Sequence, residues 1–123
     1  MALINPTSAD ISQVGDRATI AWTWALLTSS DTCVALDQAE YEAAAIEFTG
    51  TFDSATIILQ GAVLSTYATV KDSAAVDISK TAAGWQTVGQ QPRYLKPSAS
   101  GGGGSQSLTI TLLVRRKTAT LRS

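Results

Sequence analysis

The chain contains no histidine, and only one of its 123 residues is cysteine. Imidazole is the one side chain whose ordinary pKa lies in the neutral range. Its absence removes the usual base of a nucleophilic triad and the commonest metal ligand. Nucleophiles built on Ser-Lys or Thr need no imidazole, yet neither a G-x-S-x-G elbow nor an S-x-x-K run occurs. A glycosidase needs two carboxylates flanking one bond, and nothing in the spacing of the acids marks such a pair. We therefore expect a chain that binds and assembles rather than catalyses, with no cofactor and no metal. The lone thiol, Cys33, has no partner for an internal bridge and is expected to be buried and inert, in a chain that folds under reducing conditions.

Charge is also scarce. Charged residues make up 15% of the chain, against about 25% in an ordinary soluble domain. A deficit of that size is expected where neighbouring subunits cover part of the surface. No apolar run approaches the ~20 residues of a membrane-spanning helix. The start of the chain, Met-Ala-Leu-Ile-Asn-Pro-Thr-Ser, has neither a basic region nor an apolar stretch, so no signal peptide is expected there. Acids are missing from the final third: none follows Asp77, whereas Arg115, Arg116, Lys117 and Arg122 are four of the nine bases. Such a basic end docks on an acidic surface or frays into solvent. Nucleic acid is not the expected partner, because the body before Arg115 is acidic and no aromatic follows Tyr94 to offer stacking.

What is present is alternation. Ile20, Trp22, Trp24 and Leu26 share one face of a strand, with Thr19, Ala21, Thr23 and Ala25 on the other. The same period of two recurs at Ala44-Ile46-Phe48, at Ile57 and Leu59, and most clearly at Leu108-Ile110-Leu112-Val114. Shorter extended pieces are predicted near Val34–Leu36, Thr66–Lys71, Val76–Ile78, Trp85–Val88 and Arg93–Pro97. Pro97 confines its strand to an edge or a bulge, since proline donates nothing to a ladder. Asp37–Ala45, rich in Ala and Glu, is expected to hold the entry to a strand or one helical turn at most. Short strands separated by turn signals predict an all-β, antiparallel sandwich or barrel. The predicted layout is an extended N-terminal arm over 1–16, one β-sandwich domain over 17–117 and a basic tail over 118–123.

Two motifs call for a choice. Paired tryptophans such as Trp22 and Trp24 can form a sugar-stacking platform, but on a face shared with Ile20 and Leu26 they are expected in the core. Gly101–Gly104 lacks the Gly-Lys-Ser/Thr and helix of a phosphate loop. It is expected to form a hairpin tip between the strands around Tyr94–Ser98 and Leu108–Arg115.

The run Thr49-Gly50-Thr51-Phe52-Asp53-Ser54-Ala55-Thr56-Ile57-Ile58-Leu59-Gln60-Gly61 resembles the central motif of small β-sandwich virion proteins of tailed bacteriophages. Thr81-Ala82-Ala83-Gly84, Pro92-Arg93-Tyr94-Leu95-Lys96-Pro97, the glycine-rich turn and Ser107–Arg116 fit the same pattern, so the resemblance covers about the C-terminal 60% of the chain. It implies a jelly-roll-like fold and the role of a capsid decoration, or cement, protein. Such a protein, often a homotrimer, binds the major capsid protein on the outer surface of the head and stabilises the lattice. The implied location is the virion, assembled in the bacterial cytoplasm. A carbohydrate- or receptor-binding module on the virion or tail is the alternative, with a glycan as its partner. The sequence departs from the pattern at Gly61-Ala62-Val63-Leu64-Ser65-Thr66, where relatives carry a polar turn, and Tyr67 stands where they place tryptophan. An exposed Ala-Val-Leu loop is costly unless something covers it. The loop is expected either to pack on a neighbouring subunit or the capsid, or to fold onto its own core. The candidate assembly contacts are Leu3 and Ile4 of the arm, Val63 and Leu64 of this loop, and Arg115, Arg116 and Lys117.

Overall fold

Branched and aromatic side chains alternating with small polar ones give strand after strand and, among the described residues, no helix. A computed structural model describes every residue except 1–2, 5, 15–16, 29–30, 38–40, 103–105 and 117–123. The strands are β1 (Leu3–Ile4), β2 (Thr7–Val14), β3 (Arg17–Leu27), β4 (Thr32–Cys33), β5 (Leu36–Asp37) and β6 (Tyr41–Thr51). They continue with β7 (Ala55–Ala62), β8 (Ala68–Thr69), β9 (Ser79–Lys80), β10 (Gly84–Thr87), β11 (Tyr94–Gly101) and β12 (Ser107–Arg116).

Most of them join two antiparallel sheets. The first has the order β10-β6-β12-β3-β2, and the second runs β5-β11-β7-β8, with β9 also pairing β7. β1 and β4 form a small parallel pair beside them. The periodic faces meet in one core. From the first sheet come Trp24, Ile46, Phe48, Leu108, Ile110, Leu112 and Val114, and from the second Leu36, Ile57, Leu59 and Leu95. Trp24 is fully buried and its indole Nε1 donates to the Val34 carbonyl at 2.9 Å. Trp22 packs against the same cluster while partly exposed. The tryptophan pair therefore belongs to the core, as the alternation implies. Asp37–Ala45 holds no helical turn among its described residues; β6 begins at Tyr41 and absorbs a register shift opposite Leu113/Val114.

Successive strands repeatedly change sheet: β5 to β6, β6 to β7, β9 to β10, β10 to β11 and β11 to β12 all cross. This corrects the expected glycine-tipped hairpin. β11 pairs β5 and β7 while β12 pairs β3 and β6, so the chain through Gly101–Gly102 links the two sheets. Both glycines have the positive φ, 72° and 80°, that such a change of direction uses. Pro97 lies beyond the two residues of β11 that β5 reaches, so its missing N–H faces an unpaired edge.

A second correction concerns the start of the chain. Residues 7–14, expected as an arm outside the domain, form β2, the edge strand of the first sheet, paired with β3 from Thr7↔Thr23 to Val14↔Arg17. A register shift between Asp10 and Ser12 breaks the alternation there, which is why no period of two is legible. The basic tail over 118–123 lies outside the described residues.

One irregularity ties the sheets together at their edges. β8 and β9 lie along β7 as one interrupted strand, and the chain between them leaves the sheet as a hairpin closed by the Lys71↔Asp77 bridge. Its tip reaches the edge of the first sheet, where the Ser73 N–H donates to Thr87 Oγ1 at 3.2 Å and Gln86 Nε2 donates to Asp72 Oδ2 at 3.1 Å. Asp72 also accepts the Ala74 and Val76 amides, both at 2.9 Å. The Val76 amide above all, and then Gln86, hold its carboxyl below the ordinary range. Close approach requires glycine at 89, because a Cβ there would collide with the Asp72 backbone.

Candidate docking surface

β7 delivers the loop that follows it. Its last residues, Gly61 and Ala62, are buried, and a side chain at 61 would run into Pro92 and Val70. The base of the loop is thereby pinned, and the chain emerges with two apolar side chains pointing outward. Val63 is 73% exposed and Leu64 77% exposed. The loop does not fold onto its own core, and both side chains stand in water in the single chain.

Beside the loop stand groups suited to a contact rim. Tyr67 is half-buried under Lys96, whose Nζ lies 4.4 Å from the ring centroid. On β11, Tyr94 pairs with Ala62 and carries the Arg93 guanidinium 5.1 Å above its ring. Arg93 donates to both Asp37 oxygens, at 3.2 and 3.0 Å, which holds the arginine against β5. Aromatic and arginine side chains around an apolar centre are the composition enriched in protein interfaces.

The other candidate contacts fall in several places. Three residues separate Asp37 of the second sheet from Tyr41 of the first, and the Gln91 amide spans the same gap. Its Nε2 donates to the Ala43 carbonyl and its Oε1 accepts the Ala43 N–H, both at 2.8 Å. The Tyr94–Ala62 end of one sheet and the Tyr41–Arg116 end of the other therefore lie at the same end of the molecule. Arg115 is exposed there, opposite Glu42 and Thr19. The backbone of Arg116 pairs with Tyr41, while its side chain and all of Lys117 lie outside the described residues. Ile4 does not stand free: it packs against the core, and its carbonyl accepts the Val34 amide at 2.8 Å. Leu3 is placed by its backbone alone, paired with Thr32.

One exposed aromatic was not singled out by the sequence. Trp85, on edge strand β10, is 65% exposed on the outer face of the first sheet. The signal for it was the period of two: Val88 and Gln86 turn inward, which sends Trp85 and Thr87 out. Cys33 is buried, and burial pushes its thiol up to about 12. Among the described residues no group of His, Cys, Asp and Glu is arranged to hold a metal ion, and no helix is long and apolar enough to cross a membrane. Comparison with protein-family models, curated proteins and solved structures returns no match.

Proposed function

We propose that this chain is a bacteriophage capsid decoration protein: a jelly-roll-like β-sandwich, homotrimeric, that binds the major capsid protein on the outside of the head and stabilises the lattice. The observation that carries the proposal is the Val63-Leu64 pair, held outward on a pinned loop. The jelly-roll element rests on strand order. β2 extends the first sheet as an added edge strand; apart from it, and with β8 and β9 counted as one interrupted strand, each sheet holds four strands, β10-β6-β12-β3 and β5-β11-β7-β8/β9, and the chain repeatedly crosses between them. That order supports reading the fold as a double-sheet jelly roll, an architecture used by capsid and lectin domains. The sparse charge of the chain agrees with a surface meant to be covered.

Clamping of this kind needs no chemistry. Each subunit buries a small apolar contact, and repetition on a symmetric lattice raises the effective concentration at every further site. The test is a particle that lacks the protein. Such heads are expected to assemble but to lose their contents at a lower temperature than complete ones, with resistance restored by adding back the purified chain. Equal heat resistance with and without it would refute the lattice role.

A further inference from the structure

The outer face of the first sheet carries a shallow groove of about 270 Å³ lined by Ala45, Ile46, Glu47, Trp85, Thr111 and Leu113. We propose that this groove is a binding site for a neutral sugar ring, stacked on Trp85 and held through its hydroxyls by Glu47 and the threonines beside it.

The register places these groups in one row. Trp85 is the cross-strand partner of Glu47, Glu47 of Thr111, Thr111 of Thr23, and Thr23 of Thr7. One indole, one carboxylate and three hydroxyls thus stand side by side across five strands. Neighbours in such a row are about 4.8 Å apart. Thr23 and Thr111 are in hydrogen-bond contact, with their Oγ1 atoms 3.3 Å apart. The floor is small and flat, Ala45 facing Leu113 and Leu113 facing Ala21, so a ring can lie against it.

The chemistry of the row selects the ligand. On the face of a sheet the backbone groups are already consumed by the ladders, so an extended peptide finds no pairing there; only side-chain atoms are on offer. A purely apolar ligand would strip water from Glu47 without replacing it. Glu47 has no hydrogen-bond or ion-pair partner among the described residues. An anionic ligand would meet that carboxylate directly, while Arg115, further along β12, stands opposite Glu42. A pyranose meets every requirement: one C–H face for the indole and a ring of hydroxyls that donate to a carboxylate and exchange hydrogen bonds with threonines. The site lies on the sheet opposite to the one that carries the Val63-Leu64 loop, and it does not rest on the lattice role.

The test uses the full chain labelled with 5-fluorotryptophan, whose three tryptophans each give a 19F line, the Trp85 line being assigned by its loss in W85F. Cellotetraose, maltotetraose and lactose are titrated to tens of millimolar beside sialyllactose. The expected result is movement of the Trp85 line alone with at least one neutral sugar. E47Q is expected to weaken that binding about tenfold and W85A to abolish it, as loss of one charged hydrogen bond or one stacking face does, with the melting temperature of each variant unchanged. The proposal is overturned if no neutral sugar moves the line, if sialyllactose binds as well as lactose, or if E47Q binds like the parent chain. Loss of sugar binding with heat-resistant heads, or the reverse, separates this site from the decoration role.

Discussion

Replacing Val63 and Leu64 together by serine tests the docking surface with little disturbance of the fold. Complete burial of a Val or Leu side chain is worth about 1.5–3 kcal/mol. Roughly three-quarters of each is still in water, at 73% and 77% exposure. Covering them therefore contributes about 1–2 kcal/mol each, or about 2–4 kcal/mol for the pair. At 1.4 kcal/mol per factor of ten, that is a loss of about 30- to 1000-fold in affinity at each contact. The chain's own stability is expected to change by less than about 0.5 kcal/mol, because both side chains are exposed in the single subunit. Two measurements go together: the melting temperature of the isolated chain, and its binding isotherm on heads from which the protein has been stripped. Sedimentation of the free variant reports whether the same loop joins subunits of a trimer. Unchanged binding and unchanged association would refute the reasoning outright. A large fall in melting temperature would do so differently, by showing that the loop packs on its own chain.

Three further outcomes are expected. W24F should cost about 1–2 kcal/mol more than W22F in denaturant unfolding, because only Trp24 makes a buried hydrogen bond, to Val34, whereas the Trp22 Nε1 is buried without a partner. Ala75 sits at φ 64° just before Val76, the residue that closes the 72–76 turn; the left-handed cost to an L-residue, less glycine's greater chain entropy, gives A75G a gain of about 0.5–1 kcal/mol, read as a melting temperature a few degrees higher. Cys33, its thiol raised to about 12 by burial, should resist thiol reagents until the chain unfolds. Because folding raises that pKa, the stability linked to it is complete below the unfolded value near 9 and is lost as pH rises towards 12. C33A should flatten the alkaline limb of the stability curve over that window.

How much of this was legible in the residues depended on whether a face kept its period. β3, β6, β7 and β12 were readable because one side of each is buried along its length, and burial enforces alternation. β2 was not, since its bulge at Asp10/Ser12 swaps faces midway and an edge strand needs less apolar surface. Partnership was harder than strand identity. The glycine-rich segment is the kind of connection that joins neighbours in a hairpin, and nothing local says that Tyr94–Gly101 and Ser107–Arg116 pair with different sheets. Val63 and Leu64 could be singled out in the sequence because an apolar turn is unusual, and the structure shows both exposed. The packing of Ile4 against the core was not legible, because an apolar residue in a segment without period gives no sign of whether it meets a partner or its own core. Trp85 escaped notice because its strand is four residues long, and its exposure follows only once Val88 is known to point inward.

The position of β12 sets the order in which the molecule can be made. It lies between β6 and β3, pairing with both over nearly its whole length, and it comes after every strand it joins. A ribosome therefore releases two separate fragments of the first sheet, β2–β3 and β6–β10, before the strand that unites them exists. Pairings so distant along the chain close slowly, and until they close the inner faces of Trp24, Ile46 and Phe48 have no sheet to complete them. Synthesis halted anywhere before Ser107 leaves β3 and β6 without the strand that joins them, so completion of the first sheet waits for β12.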